Sequence, residues 1–170
     1  LILHVAGSST VRTALLLEND LALVANSVVP VGTRASALTF EQGVDQNHPT
    51  GTIIGAADIL SHPDGNVSFV LLAQPFTVGN STTSFHQAMD TSMRPNGTAL
   101  NCYGYTQQRV SQYAQTQIGS SSGNTYTLNP VFSYNIDAVD AGIPCVDSSW
   151  NLIGVGSGTN LVLGATAFGA

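Results

Sequence analysis

A chain of 170 residues can hold one well-filled core or two small barrels sharing an interface. Charged residues make up only 8% of it, lysine is absent, and ten acids outweigh Arg12, Arg34, Arg94 and Arg109 to leave a net charge of -6, a balance that excludes the clustered cations a nucleic-acid backbone demands. No apolar run approaches the roughly 20 residues needed to cross a bilayer, and the wealth of Ser, Thr, Asn and Gly beside ample apolar residues fits a β-rich secreted chain rather than a disordered one.

Short apolar runs bounded by turn residues begin at once. Residues 1–6, 11–17 and 21–25 are separated by Gly7-Ser8-Ser9 and Glu18-Asn19-Asp20, the signature of strands joined by turns. Residues 35–40, 51–60 and 67–73 continue the series, with Asn47-His48-Pro49 and His62-Pro63-Asp64-Gly65 as turns. The polar stretch 77–95 lacks sustained apolar periodicity and reads as a linker, with room for a helical turn or two at 83–89. Asn96-Gly97 opens a second series at 98–105, 113–118, 125–128, 145–147, 152–155 and 161–168, and Gly119-Ser120-Ser121-Ser122-Gly123 reads as a flexible loop. About six strands, a linker and about six more describe two antiparallel barrels. The expected organisation is a first barrel over 1–76, a linker over 77–97 and a second barrel over 98–170.

Cys102 and Cys145 stand far apart, without the Cys/His spacing of a zinc site. Taken by themselves they are either two buried thiols or one bridge. Sequons occur at Asn66, Asn80 and Asn96, and with the missing lysine they tilt the reading toward an exported protein. The oxygen-rich spacing of a calcium loop is missing around Asp137 and Asp140, so no metal or cofactor is expected. His4, His48, His62 and His86 lack a neighbouring serine motif such as a nucleophile elbow and read as ordinary surface or hydrogen-bonded histidines.

Five segments, in order, carry a resemblance. Leu15 to Val29 runs through Asn19-Asp20-Leu21-Ala22-Leu23-Val24-Ala25-Asn26-Ser27-Val28 and is similar to Asn-Asp-Leu-Val-Leu-Thr-Ala-Ala-His-Cys. Asn66-Val67-Ser68-Phe69-Val70-Leu71-Leu72-Ala73-Gln74-Pro75-Phe76 resembles Asp-Val-Ala-Leu-Val-x-Leu-Ala-x-Pro-Phe. Cys102-Tyr103-Gly104-Tyr105 resembles Cys-x-Gly-Trp/Tyr, and Asp140-Ala141-Gly142-Ile143-Pro144 resembles Asp-Ser-Gly-Gly-Pro. Trp150 to Gly158 is similar to the hairpin that ends in a substrate-binding strand. Together these segments resemble the trypsin-like serine proteases. The resemblance implies an all-β fold of two antiparallel six-stranded barrels. It also implies a trimmed version, because the Ile-Val-Gly-Gly start and the C-terminal helix are missing.

The same matching disarms the chemistry. Ser27 falls where the family has its general-base histidine, Asn66 at the orienting aspartate and Ala141 at the nucleophilic serine. Acyl transfer by this route needs an oxygen nucleophile, a base and a carboxylate, and none of the three is supplied. Val139 stands at the oxyanion-hole glycine, where a β-branched residue resists the required backbone. Asn135, Ser157 and Gly158 fall at specificity-pocket positions, and the neutral Asn135 gives no preference for Arg or Lys. By the same matching Cys102 opens the second barrel and Cys145 follows the nucleophile loop, so neighbouring strands would bring them together as a disulfide. Asn66 would lie buried, which leaves Asn80 and Asn96 as the glycosylation candidates.

The resulting expectation is a secreted protein without catalysis that binds a protein or glycan partner. A carbohydrate-binding or immunomodulatory protein, with aromatic-bearing loops around Tyr103, Tyr105, Tyr113 and Tyr126, is one alternative. A hydrolase with an unconventional site is another.

Overall fold

A computed structural model describes residues 1–45, 47–64, 66–78, 85–105, 109, 111–129, 142–158 and 161–167. The chain divides into two compact units: Leu1–Gln87 with the returning segment Tyr105–Ser111, and Ala88–Gly104 with Gln112–Ala170. Both are built from antiparallel strands, as the turn spacing requires, and among the described residues the helical structure amounts to single 3-10 turns at Ala35–Ala37 and Ala165–Ala167.

The first unit contains β1 (Ile2–Val5), β2 (Arg12–Thr13), β3 (Leu15–Glu18), β4 (Leu21–Ala25), β5 (Leu38–Gln42), β6 (Thr52–Ser61) and β7 (Val67–Leu72). They form one sheet in the order β2-β1-β5-β6-β7-β4-β3. Its two edges are the halves of a single run, expected as one strand at 11–17. That run breaks at Ala14, whose N–H donates to Leu1 O at 3.0 Å. Arg12–Thr13 then pairs with β1 while the residues after Ala14 pair with β4, so the sheet wraps round on itself. Strands that close a barrel must change neighbour at such corners. The register shift in β6 between Ala56 and Asp58 marks another, where the strand turns from β5 to β7. Leu3, Val24, Leu38, Phe40, Val70 and Leu72 fill the interior.

The second unit contains β8 (Ala99–Tyr105), β9 (Ser111–Ser122), β10 (Thr125–Leu128), β11 (Pro144–Val146), β12 (Leu152–Gly158) and β13 (Leu161–Gly164). They close in the order β10-β13-β12-β11-β8-β9. Alternation is clean on β8, where Leu100, Cys102 and Gly104 are buried and the residues between them are not. Glycines admit the closest approach. Gly154 pairs with Gly164, and a Cβ at position 154 would fall 2.4 Å from Leu163 O.

Three expectations are corrected. Residues 119–123 are not a loop: β9 runs to Ser122, and a short turn at Gly123 and Asn124 leads into β10 with Ser122 opposite Thr125. Pairing along a full ladder outweighs the poor strand propensity of Gly and Ser. No helical turn forms over the described residues 85–89. Their backbone groups go to other strands instead, with Gln87 N–H donating to Leu17 O at 2.8 Å and Leu152 N–H donating to Ala88 O at 2.7 Å. Finally, Tyr103, Tyr105, Tyr113 and Tyr126 stand on the strands that the turn spacing gives them, so the reading of them as residues of aromatic-bearing loops does not hold, and Tyr126 is 1% exposed. An inward position on β10 places the Tyr126 ring in the core, and its hydroxyl accepts from Arg94 N–H at 3.0 Å.

Candidate functional site

β4 and β7 run antiparallel with Ala25 opposite Val67. One step beyond that pair, Asn26 N–H donates to Asn66 O at 3.0 Å. The ladder therefore brings Ser27 and Asn66, far apart in sequence, to the same end of one strand pair. Beneath them lies a polar network. Ser68 Oγ donates to Asn26 Oδ1 at 2.5 Å, Asn26 Nδ2 donates to Val67 O at 3.1 Å, and Ser61 and Ser68 share a hydroxyl contact of 3.1 Å. Ser68 is buried, so its hydroxyl must be satisfied from within, and these bonds do that.

Asn66 is exposed, not buried beneath a neighbour as the family matching implied. An aspartate that holds an imidazolium is drawn inward by that partner, whereas at position 27 the chain offers a small, exposed serine. The half-buried amide of this region is that of Asn26. Burial thus gives no reason to separate Asn66 from Asn96, which is exposed in a turn where Thr98 N–H donates to Pro95 O at 3.2 Å.

Each of the four histidines faces a carboxylate. His4 Nε2 lies 3.2 Å from Glu41 Oε1, His48 Nδ1 2.9 Å from Asp45 Oδ1, His62 Nδ1 3.8 Å from Asp64 Oδ2, and His86 Nδ1 3.5 Å from Glu18 Oε1. Among the described residues no three or more His, Cys, Asp or Glu cluster to hold a metal ion, and no helix is long and apolar enough to cross a membrane. A hydroxyl at 27 and an amide at 66 can donate and accept hydrogen bonds. Neither can take up a proton near neutral pH as imidazole does.

In the second unit Ala141, Val139 and Asn135 lie outside the described residues, with Asp137 and Asp140, and so does Asn80 of the first. The segment that follows Ala141 lies against β12: Gly142 N–H donates to Gly156 O at 2.9 Å and Gly156 N–H to Ile143 O at 2.8 Å. Ser157 is exposed where the β12–β13 register shifts, and Gly158 pairs with Leu161. Cys102 and Cys145 are directly opposite each other on β8 and β11 and form the disulfide, with a Cα separation of 4.0 Å. Directly opposed residues on antiparallel strands sit closer than most bridged pairs. One group of residues had no signal in the sequence beyond its aromatic letters. Trp150 stacks on Tyr103, with centroids 5.4 Å apart and planes 20° apart, and Tyr113 lies 6.0 Å from Tyr103.

No family model and no curated protein sequence matches the chain. Solved structures do. Inactivated protease paralogue S-D1 of the scabies mite superposes with a TM-score of 0.81 at 15% identity, covering 98% of this chain and 87% of that one. Paralogue S-I1 of the same mite gives a TM-score of 0.79 at 12% identity, covering 98% and 89%. At such identities the likeness speaks for architecture, and the architecture of this chain is the two-barrel trypsin-like fold.

Proposed function

We propose that the chain is a secreted, non-catalytic serine-protease homologue that acts by binding a protein or glycan partner. The observation that supports this reading is the end of the β4–β7 pair, where Asn26 N–H donates to Asn66 O and so brings to one end of the ladder Ser27 and Asn66, the positions that the resemblance matches to a base and its orienting acid. Ala141 removes the nucleophile from the sequence itself. No route to an alkoxide is left at these positions, because a serine hydroxyl cannot deprotonate another hydroxyl near neutral pH. A displaced centre finds no support among the described residues, where every histidine is turned to a carboxylate and none to a hydroxyl. The disulfide and the absence of lysine favour an oxidising, extracellular setting.

The test is direct. Purified protein should take up no fluorophosphonate at any serine and should leave peptide esters and amides at the background rate. Disarmed triads in general keep about a thousand- to ten-thousand-fold over water from oxyanion hole and binding alone, so the assay must resolve rates down to that level. Stoichiometric labelling of one serine would overturn the reading.

A further inference from the structure

We propose that Trp150, stacked on Tyr103 and flanked by Tyr113, is a carbohydrate-binding ledge on the second unit that takes one face of a neutral pyranose in a glycan chain. The proposal deepens the binding reading above and rests on it for the premise that binding is the protein's task.

The turn between β11 and β12 is built to hold this tryptophan out. Trp150 has φ of 63°, the left-handed region where glycine or asparagine sits at least cost. A bulky ring persists there only where the surroundings over-determine it, and such outliers gather at functional positions. Here the determinant is the buried carboxylate of Asp147. Its Oδ1 accepts from Ser149 N–H at 2.9 Å and from Asn151 N–H at 3.0 Å, while Oδ2 accepts from Asn151 Nδ2 at 3.3 Å and from the Arg94 guanidinium. Trp150 N–H donates to Asp147 O at 3.0 Å, and Arg94 also reaches Asp90 Oδ2 at 2.9 Å. Despite the stack on Tyr103, Trp150 remains 60% exposed and Tyr113 43% exposed.

The surroundings choose the ligand. The same outward faces carry Asn101 beside Tyr103 on β8 and Gln115 and Gln117 beyond Tyr113 on β9, and the turn adds the exposed Ser148 and Ser149. A protein-binding hot spot sets its tryptophan in a well-packed pocket ringed by contacts that exclude water. These positions hold neutral hydroxyls and amides instead. A pyranose has the matching form: C–H bonds on one face meet an aromatic ring, and hydroxyls at the rim meet amides that both donate and accept. Acidic sugars are disfavoured, because Arg94, which reaches this turn from another part of the chain, is already committed to Asp147 and Asp90 and the chain carries a net charge of -6.

Trp150 is the only tryptophan of the chain, so indole emission reports this ledge alone. Cellohexaose, chitohexaose, laminarihexaose and mannohexaose would be titrated into the intact protein, with oligogalacturonate as the anionic control. At least one neutral oligosaccharide should shift the emission saturably below about 10 mM, a weak affinity of the order a single stacked face supports. By calorimetry, Trp150→Asn should weaken that sugar at least tenfold. Asparagine tolerates left-handed backbone, so the unfolding temperature should stay within a few degrees. Tyr113→Ala should weaken binding as well and leaves the turn untouched. No response to any neutral oligosaccharide, undiminished binding by Trp150→Asn, or equal binding of oligogalacturonate would each overturn the proposal. These failures are separable from failure of the non-catalytic reading. A fluorophosphonate-labelled serine in a protein that still binds sugar through Trp150 ends that reading alone.

Discussion

Reducing the Cys102–Cys145 bridge should lower the thermal unfolding midpoint by about 11 °C. The two cysteines are separated by 43 positions, so the bridge closes a long loop in the unfolded chain. The chain-entropy relation for a loop of that length gives ~13 cal/mol/K, or about 4 kcal/mol at room temperature. Unfolding entropy near 60 °C scales with chain length, reaching ~0.36 kcal/mol/K for a chain this size, and the quotient is the stated shift. The drop is larger if the second unit, which contains both cysteines, unfolds by itself. Calorimetric scans with and without a phosphine reductant would measure it with both sulfur atoms kept in place. The double variant Cys102→Ala, Cys145→Ala should unfold near the reduced protein and ignore the reductant. Both positions are fully buried, so the variant should fall slightly lower still through lost packing. A reductant shift of under about 3 °C would refute the loop-entropy reasoning. So would a native mass that shows two free thiols.

Two further outcomes follow from buried contacts. Glu41 is 2% exposed, and its carboxylate meets Arg109, His4 Nε2 at 3.2 Å and the N–H of Gly51 at 3.3 Å. Burial pushes its pKa up, but the bonds from Arg109 and His4 outweigh that and hold it below the ordinary glutamate value. A depressed carboxylate contributes stability that is complete above its unfolded pKa and fades as pH falls through the folded one. Glu41→Gln should therefore cost about 2–3 kcal/mol in urea melts at neutral pH, and the gap should narrow as the pH falls below the ordinary glutamate range; a gap that does not change with pH would refute the assignment. At Gly154 an added Cβ would meet Leu163 O at 2.4 Å and Val162 Cγ1 at 2.6 Å on a paired strand that cannot yield. Gly154→Ala should lower stability by about 2–3 kcal/mol by the same melts, and a loss below about 0.5 kcal/mol would show that the barrel gives way there.

The strands and turns of both barrels were legible because extended runs and breakers are local properties of a chain. So was the chemistry of the side chains at positions 27, 66 and 141, since a hydroxyl, an amide and a methyl declare what they can do without coordinates. Which side of each strand meets the core was not legible, because a one-residue change in register turns every side chain over and register is set by partners distant in sequence. That is why Tyr126 belongs to the core while Tyr103 faces outward to stack with Trp150, although all three are aromatic residues of the second unit. Pairing with β10 likewise turned the Gly/Ser run at 119–122 into strand, against its own propensity. Asn66 stands across the ladder from Asn26, a partner forty positions away that no local pattern could name. The left-handed backbone of Trp150 has the same origin. It is imposed by a carboxylate that Arg94 anchors from another part of the chain, and only the folded molecule brings those two groups together.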